Sequence, residues 1–308
     1  MLTGKVIVLQ ILTIGEILWD VFDQAEYLGG APLNFSAAAQ RLGHPVALVS
    51  GVGADRRGSR AIQSMVELGL STEFVQILPG KETGIARVTT DTSGSASFFI
   101  PRPAAFDEIH IEETQLAALA ALRPGWIYFG TLAQTHPASL LLLEALLRLL
   151  PGVQRFYDMN LREGHWNLPL VQRLSSQASI LKLNDTEAET LFELTCPREA
   201  FSLERFARYW SSTYDIKTIC ITLGSHGCAV FSADRLLCFD GFAVQVVDTV
   251  GAGDAFAAAF LHGHIEGWSP KRQAAFANAL GALVTSRAGA TPSWSISECL
   301  QLIADQAS

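Results

Sequence analysis

Hydrophobic residues along the chain fall into short β-rich runs that alternate with longer segments of helical periodicity. The apolar runs occupy residues 6–14, 46–52, 126–129, 153–157, 180–183 and 218–222, and helical patterns follow near 59–68 and at 138–150. This alternation predicts an α/β three-layer sandwich with a mostly parallel central sheet. In such sheets ligands bind at the carboxyl ends of the strands.

One stretch departs from this rhythm. Residues 83–91 and 95–100 are predicted to be two strands joined by a turn at 92–94, with no helix beside them. Together with a strand at 17–22, they are expected to form a small β lid, built from about 16–28 and 83–104, over the crevice. An edge meander of the main sheet is the alternative. Because the sequence shows no repeats or low-complexity linkers, residues 1–308 are expected to form a single domain.

Composition narrows the possible partners. The chain has 308 residues, 49% of them hydrophobic, and a net charge of -8, which argues against binding a nucleic-acid backbone. The five cysteines form no CxxC pair, so free thiols in a reducing compartment are expected. No apolar run has membrane-spanning length, and residues 6–14 are interpreted as a strand and not as a signal peptide. We therefore expect a cytoplasmic protein with no membrane partner.

The strongest chemical signal is the segment Asp-Thr-Val-Gly-Ala-Gly-Asp at 248–254. It lies between a predicted strand at 243–247 and a predicted helix of small residues at 255–263. Glycines let the backbone approach a ligand, and the free N–H groups of a first helical turn favour anions such as phosphate. A carboxylate here can be a simple helix cap, but Asp254 could also take a proton from an attacking hydroxyl. The absence of GxxxxGK[ST] excludes a P-loop, and the absence of GxGxxG disfavours a nicotinamide oxidoreductase.

With Gly-Gly-Ala-Pro-Leu-Asn at 29–34 as a first signature and DTVGAGDAF from Asp248 onward as a second, the chain resembles the ribokinase-like (PfkB) carbohydrate kinase family. The resemblance implies an ATP-dependent kinase that phosphorylates a sugar hydroxyl, with Mg2+ bridging the ATP phosphates. Asp254 would be the catalytic base. The backbone amides of Gly251, Ala252 and Gly253 would form an anion hole for the moving phosphoryl group, a type of interaction worth roughly 3 kcal/mol per oriented donor.

The resemblance also implies a nucleotide site. Asn184 and Glu187 match the family's NxxE motif, and residues 222–227 match a loop that cups the ribose and phosphates. The alternatives are a helix capping box for the first motif and a plain hairpin turn for the second. Asn278 stands where the family has an adenine-side contact, although it could be a packing residue. The implied nucleotide ligands are Asn184, Glu187, Thr222, Gly224, Ser225, Gly227, Gly251, Gly253 and Asn278.

A monovalent cation site is implied by residues 284–293, which resemble the family's potassium loop. Oxygen ligands suit a hard cation, but a turn-rich loop without a cation is the simpler alternative. The implied K+ ligands are Asp248, Val250, Val284, Arg287, Gly289 and Ser293.

The expected sugar site lies in the N-terminal half. The segment at 15–20 (GEILWD) resembles the fructokinase branch, and residues 158–162 resemble the DxNxR run of fructokinases and ketodeoxygluconate kinases, although Met159 replaces a usual proline. Carboxylates accept sugar hydroxyls, and a guanidinium binds anions bidentately, so Arg162 is a candidate clamp for the sugar or the moving phosphate. The expected sugar ligands are Asp20, Gly29, Gly30, Asn34, Phe98, Arg102, Asp158, Asn160 and Asp254.

Fructose is the leading substrate, with fructose 6-phosphate as the product. A ribokinase, a ketodeoxygluconate kinase and a nucleoside kinase remain open within the family. From another class, a ligand-binding regulator without chemistry remains open, although the intact turn ending at Asp254 argues against it. A homodimer that forms through the lid is also expected.

Overall fold

The computed structural model describes residues 10–22, 25–90 and 96–306, and at 88–90 and 96–98 it describes the backbone alone. The strands are β1 Ile11–Ile14, β2 Leu18–Val21, β3 Glu26–Gly29, β4 Val46–Gly53, β5 Val75–Leu78, β6 Gly84–Thr90, β7 Ala96–Phe99, β8 Trp126–Gly130, β9 Gln154–Asp158, β10 Ile180–Asn184, β11 Thr218–Thr222, β12 Cys228–Ser232 and β13 Arg235–Phe239.

The helices are α1 Ala31–Arg41, α2 Arg56–Glu67, α3 Glu113–Ala121, α4 Pro137–Leu149, α5 Leu168–Ser175, α6 Asp185–Thr195, α7 Leu203–Tyr214, α8 Ala252–Ile265, α9 Pro270–Thr285 and α10 Ile296–Gln306. Short 3-10 turns occur at Ala105–Asp107, Ala133–Thr135 and Gly224–His226. Within the described ranges no helix is both long and apolar enough to span a bilayer.

Nine of the described strands form the central sheet, in the order β13-β12-β11-β10-β9-β8-β1-β4-β5. Neighbours from β11 through β5 pair in parallel, and β12 and β13 form an antiparallel edge. The predicted mostly parallel sheet is therefore confirmed. Its carboxyl edge brings together the loops that follow β1, β9, β10 and β11, where ligands of open α/β sheets bind.

Alternation along the buried strands explains the layers. In β10, Leu181 and Leu183 pack into one core with helices α3 to α7, whereas Ile180 packs into a second core with α1, α8, α9 and α10. Successive strand side chains point to opposite faces, so helices cover both faces of the sheet. Lys182 lies on the same face of β10 as Ile180 and is therefore directed toward α8, the helix that begins at the glycine turn.

A second sheet, separate from the first, has the order β3-β2-β6-β7. Strand β2 pairs parallel with β6, and the outer pairs β2/β3 and β6/β7 are antiparallel. This confirms the predicted stand-off strands and excludes an edge meander of the main sheet. A small core of Leu18, Ala86, Ile100, Phe106 and Leu132 ties the second sheet to the end of β8.

One predicted strand is wrong. Residues 243–247 alternate like a strand but have no ladder partner, and Val246 and Val247 are exposed. The chain leaves the sheet after β13 and crosses to α9, where the amide of Val247 donates to the carbonyl of Thr285 at 2.9 Å. The cysteines of the described ranges are free, and Cys220 and Cys228 are buried in strands as expected.

Candidate active site

The glycine turn before α8 is fixed by backbone geometry that a larger residue cannot adopt. Gly251 is the N-cap of α8 at φ +78°, and a Cβ there would lie 2.2 Å from the carbonyl oxygen of Ala290. Because glycine has no capping side chain, the helix start is open to a ligand. The amide of Ala252 donates to the carbonyl of Thr249 at 3.3 Å. This amide is therefore engaged within the turn, which weakens its predicted share in the anion hole.

Asp254 lies in the first turn of α8 and lines a cavity of about 290 Å³. It accepts a hydrogen bond of 2.9 Å from Nδ2 of Asn34. Burial raises the pKa of Asp254 to about 6, and the nearby charge of Asp158 adds to the rise. Lys182 and Arg162 oppose it. At neutral pH the carboxylate is therefore ionised, and its pKa is close enough to 7 for it to act as a general base.

We refer to this cavity as the acidic cavity, because four carboxylic residues line it: Glu16, Asp20, Glu187 and Asp254. Their shared property is a buried carboxyl group at the carboxyl edge of the main sheet or on the second sheet. Its lining includes Glu16, Asp20, Gly30, Asn34, Asn160, Arg162, Lys182, Asn184, Glu187, Gly251, Gly253 and Asp254.

The two glycines that precede α1 allow the second sheet to pack against this helix. A Cβ on Gly29 would lie 2.5 Å from Oδ2 of Asp20, and a Cβ on Gly30, at φ +111°, would lie 2.4 Å from the carbonyl oxygen of Glu16. Asn34 is thereby held over the cavity, and its Oδ1 has no hydrogen-bond partner among the described residues. Asp20, on β2, is 7% exposed, and burial raises its pKa to about 6 while Arg162 opposes the rise.

Glu16 was not predicted from the sequence to be a site residue. It follows β1 and Gly15, is 5% exposed, and burial raises its pKa to about 7. Its Oε2 has no hydrogen-bond partner in the described part of the chain. The signals in the sequence were its position directly after a buried strand and within the segment at 15–20 that resembles the fructokinase branch.

Asp158 does not line the cavity, which corrects its predicted contact with the sugar. It is fully buried, and its carboxylate accepts hydrogen bonds from Nζ of Lys182 at 2.8 and 3.0 Å and from the hydroxyl of Tyr128 at 3.0 Å. Asp158 and Lys182 are partners in register on β9 and β10. Burial acts to lower the pKa of Lys182, but Asp158 outweighs it and the pKa is raised.

Lys182 is a second site residue that sequence reasoning missed. It lines the acidic cavity, and a Cβ on Gly253 would lie 3.5 Å from its Nζ. A buried ammonium, whose pKa Asp158 raises, thus lies beside the N-terminus of α8. This arrangement concentrates positive charge where the predicted phosphoryl group would lie.

Glu187 connects two loops at the cavity wall. Its Oε2 accepts the amide of Asn184 at 2.8 Å, while Oδ1 of Asn184 accepts the amide of Glu187 at 2.8 Å, which completes a capping box at the start of α6. Its Oε1 accepts the amide of Leu161 at 2.6 Å. The capping alternative is therefore confirmed, and the same bonds hold the loop that presents Asn160, at φ +43°, and Arg162 to the cavity.

A second, larger space of about 650 Å³ adjoins the acidic cavity and shares Thr222, Thr249 and Gly253 with it. We refer to it as the apolar groove, because glycines, alanines, valines and phenylalanines form most of its surface. Its lining includes Gly224, Ser225, Gly227, Gly241, Phe242, Val244, Val246, Phe256, Asn278, Gly281, Ala282 and Thr285.

Backbone contacts shape the rim of the apolar groove. A Cβ on Gly227 would lie 2.1 Å from the carbonyl oxygen of Phe239, and one on Gly241 would lie 2.3 Å from that of Ser225. Asn278 donates to the carbonyl oxygens of Phe239 at 3.4 Å and Asp240 at 3.0 Å. Its side chain therefore anchors the loop after β13 while lining the groove, which agrees with the packing alternative.

The lid residues divide into two cases. Arg102 forms a bidentate ion pair with Asp107 and donates to the carbonyl of Leu132 at 3.1 Å, and it does not line the cavity. Its predicted contact with the sugar is therefore not supported, because a buried carboxylate already holds the guanidinium. The predicted contact of Phe98 lies outside the described side chains.

The predicted cation loop is held together by Asp248. Its Oδ1 accepts the amide of Val250 and its Oδ2 accepts the amide of Gly289, both at 3.0 Å. The carbonyl of Val284 accepts the amide of Arg287 at 3.0 Å, and the Arg287 guanidinium donates to the carbonyl of Ser293. The loops that bear the predicted ligands are therefore joined directly to the turn that precedes α8.

A buried carboxylate at an open helix start, beside a buried ammonium and between a polar cavity and an apolar groove, is an arrangement that suits phosphoryl transfer on an α/β fold. The model of the pfkB family carbohydrate kinase matches residues 5–297. The chain belongs to this family, and it is a carbohydrate kinase.

Relatives agree with this assignment, and solved structures share the fold. Fructokinase-1 from Zea mays is 31% identical over 296 residues, which cover 89% of this chain and 88% of that protein. An ATP-dependent ribose-1-phosphate kinase from Halopiger xanaduensis is 26% identical over 304 residues, which cover 91% of this chain and 93% of that protein. The structure of a fructokinase with bound ATP from Xylella fastidiosa has a TM-score of 0.84 at 23% identity. The match covers 97% of this chain and 99% of that chain. The structure of a 2-dehydro-3-deoxygluconokinase from Thermotoga maritima has a TM-score of 0.82 at 20% identity. The match covers 96% of this chain and 99% of that chain.

Proposed function

We propose that the protein transfers the γ-phosphoryl group of ATP to a hydroxyl of fructose, giving fructose 6-phosphate and ADP. The observation that supports the proposal is the Asn34–Asp254 pair, which holds a buried carboxylate in the acidic cavity next to Gly253, where the cavity meets the apolar groove. The sugar occupies the acidic cavity and the nucleotide occupies the apolar groove.

In the proposed reaction the sugar hydroxyl attacks the γ-phosphorus, and its proton passes to Oδ1 or Oδ2 of Asp254. The bond between the γ-phosphorus and the β,γ-bridging oxygen breaks, and ADP leaves. Positioning and charge neutralisation account for most of the catalysis in such transfers. Lys182 and the open amides before Asp254 face the phosphoryl group, and Arg162 contacts the sugar or the moving phosphate.

Mg2+ fits the wall formed by Asn184 and Glu187, because carboxylate and amide oxygens suit this cation. Both carboxylate oxygens of Glu187 already accept backbone amides, so contact through water is the arrangement that fits. When bound, Mg2+ neutralises charge on the phosphates. Asn184 and Glu187 orient its hydration shell, and Lys182 neutralises charge beside the start of α8.

K+ is proposed at the loops tied by Asp248, which bear the carbonyls of Val250, Val284, Arg287 and Gly289, with Ser293. Because these loops are joined to the helix start, a bound cation would shape the anion hole. Activity is expected to rise several-fold in KCl relative to NaCl at equal ionic strength. Equal rates in the two salts would contradict the cation site.

Fructose is preferred over the alternatives because two observations favour it. The sugar side carries Asp20 and two unpartnered acceptor oxygens, and plant fructokinases are among the relatives, at 31% and 29% identity. A coupled assay with ATP and fructose, ribose, ketodeoxygluconate, tagatose or adenosine tests the assignment. A larger kcat/KM for any acceptor other than fructose would overturn it.

A homodimer through the second sheet is proposed because this sheet exposes large apolar side chains. Tyr27 is 44% exposed and Phe99 is 62% exposed. Light scattering after gel filtration is expected to give twice the chain mass, and Phe99→Asp is expected to give a monomer. A wild-type monomer at micromolar concentration would contradict the proposal.

A further inference from the structure

The carboxyl group of Glu16 has no role in the proposed reaction, yet it lies in the acidic cavity. The side chain is almost completely buried, and its Oε2 has no hydrogen-bond partner among the described residues. A buried acceptor without a partner costs free energy, so native proteins seldom keep one unless a ligand or water satisfies it.

The backbone at Glu16 is fixed by close packing, so its position is a designed feature of the fold. A Cβ on Gly15, at φ +154°, would lie 2.5 Å from Cγ of Pro32, and a Cβ on Gly30 would lie 2.4 Å from the Glu16 carbonyl oxygen. The start of α1 thus presses on both sides of this residue. The backbone that carries Glu16 is therefore fixed against α1.

A second unpartnered acceptor lies in the same cavity. Oδ1 of Asn34 is buried and without a partner in the described part of the chain, while its Nδ2 donates to Asp254. Two free acceptors, together with the carboxylate of Asp20, require a ligand that brings several donors. A polyhydroxylated molecule has this property, because each hydroxyl donates one hydrogen bond.

The charges of the cavity favour an uncharged ligand. Glu16, Asp20 and Asp254 contribute carboxyl groups, against which stand Arg162 and a Lys182 that is already bound by Asp158. The other guanidinium near Glu16, that of Arg102, is bound by Asp107. An acceptor with its own carboxylate or phosphate would add a negative charge next to these carboxyls.

We propose that Glu16 determines acceptor specificity: its Oε2 accepts a hydrogen bond from a hydroxyl of a neutral sugar, and its charge rejects acceptors that carry a carboxylate or a phosphate. The inference rests on the proposed function, since it names the substrate class of the same site. Burial raises the pKa of Glu16 to about 7, and a donated hydroxyl stabilises the ionised form once the sugar is bound.

The test compares wild-type protein with Glu16→Gln, Glu16→Asp and the control Glu163→Gln. The acceptors are fructose and ribose, which are neutral, and ketodeoxygluconate and fructose 6-phosphate, which are anionic. Glu163 is exposed and close in sequence to Arg162, so its variant makes the same chemical change outside the cavity. Steady-state kcat and KM are measured for each acceptor at saturating ATP.

Glu16→Gln is expected to raise the KM for the neutral sugar about tenfold with kcat changed less than threefold. It is also expected to shift the ratio of kcat/KM for anionic over neutral acceptors upward by about tenfold, since one negative charge is lost. Glu16→Asp retains the charge but is shorter, so it should raise the KM of the sugar and leave the ratio unchanged. Glu163→Gln should match wild type. A merely structural role would not change the ratio between neutral and charged acceptors.

An unchanged ratio in Glu16→Gln that melts like wild type would overturn the proposal, as would wild-type preference for an anionic acceptor. If Glu16→Gln does not fold, Glu16→Asp decides, and an unchanged KM for the neutral sugar overturns the proposal. Turnover of ribose without turnover of fructose would refute the fructose assignment alone. If no acceptor is turned over, the proposed function fails. The sugar-induced rise in melting temperature then decides the role of Glu16, and equal rises in wild type and Glu16→Gln overturn it.

Discussion

The acidic cavity and the apolar groove meet at the start of α8 but are built by different means. Long polar side chains from distant elements form the cavity: Glu16 after β1, Asp20 on β2, Asn34 on α1 and Arg162 after β9. Small residues and backbone form the groove, and no ionisable side chain is present among the described residues that line it. The cavity therefore recognises a ligand by hydrogen bonds and charge, whereas the groove recognises it by shape.

The difference explains why the two sites are expected to respond differently to substitution. A lost side chain in the cavity leaves a buried partner unsatisfied, which is costly in a dry site. In the groove, truncating a side chain should remove few contacts with a ligand, whereas adding a larger side chain should take up space that the ligand needs. Each of the following predictions tests one side of this comparison or their junction.

The largest expected effect is at the start of α8, the junction where the acidic cavity and the apolar groove meet. Asp254→Asn removes the base but preserves the shape of the side chain, so kcat should fall by roughly 100-fold or more while the KM for ATP changes little. Steady-state kinetics with saturating sugar and ATP measures both constants. Turnover within a few-fold of wild type, in protein that melts normally, would contradict the assignment of the base.

Asp158→Asn tests the support beneath the junction. The substitution leaves the Lys182 ammonium buried without its counter-charge, and breaking such pairs costs about 3 kcal/mol of unfolding free energy. Urea unfolding monitored by circular dichroism measures the loss. If Asp158 contacts the sugar, as the sequence predicted, the substitution would instead lower the affinity for sugar and leave the stability normal. That outcome would reinstate Asp158 as a ligand.

Asp20→Ala tests hydrogen-bond recognition in the cavity. The loss of a buried carboxylate that binds hydroxyls should raise the KM for fructose by about 10- to 100-fold, corresponding to about 1 to 3 kcal/mol. The KM for ATP should change less than twofold, because the apolar groove does not include this residue. A normal KM for fructose would remove the main reason to place the sugar against β2.

Gly281→Leu tests shape recognition in the groove. A Cβ at this helical position has ordinary contacts, 3.4 Å from the carbonyl oxygen of Ala252 and 3.6 Å from Cβ of Phe256, so the fold should accept the substitution. The longer side chain fills groove space, and the KM for ATP should rise about tenfold. Gly281→Ala is the matched control and should bind ATP normally. An equal effect on the KM for sugar would show that the two spaces are not separate.

The sequence predicted the glycine turns of the site better than the side chains that form the cavity. The turn before Asp254 and the glycines at 29–30 are recognisable because their backbone conformations demand particular residues. The roles of Lys182 and Asp158 depend on the register of β9 against β10, which the sequence does not specify. Arg102 was predicted to bind the sugar because the sequence does not show that Asp107 is its partner. The two residues meet only through the turn at Ala105–Asp107.

Glu16 and the segment 243–247 show the same limit from opposite directions. A single glutamate after a buried strand has no pattern that marks it as a ligand, so the cavity's unpartnered acceptor became visible only in the structure. The alternating residues at 243–247 have a strand pattern but no neighbouring strand to pair with. Local pattern predicts elements, and it does not predict which distant groups meet.

The smallest expected effect is on pH dependence, and it separates the two sites by charge. Burial raises the pKa of Asp254 to about 6 and that of Asp20 to about 6, so protonation of either group should reduce kcat/KM for the sugar as the pH falls through 6, to about a quarter of its plateau at pH 6, where each carboxyl is half ionised. Since no ionisable side chain lines the described groove, the KM for MgATP should vary less than twofold from pH 6 to 8.

The hydrogen bond from Asn34 lowers the pKa of Asp254, so Asn34→Ala should move the acid limb upward and reduce activity at pH 7 relative to pH 8. Rate profiles of both proteins from pH 5 to 8.5 measure the shift. An acid limb near 4 in wild type, the ordinary value for a solvated aspartate, would show that the cavity does not desolvate its base as the structure indicates.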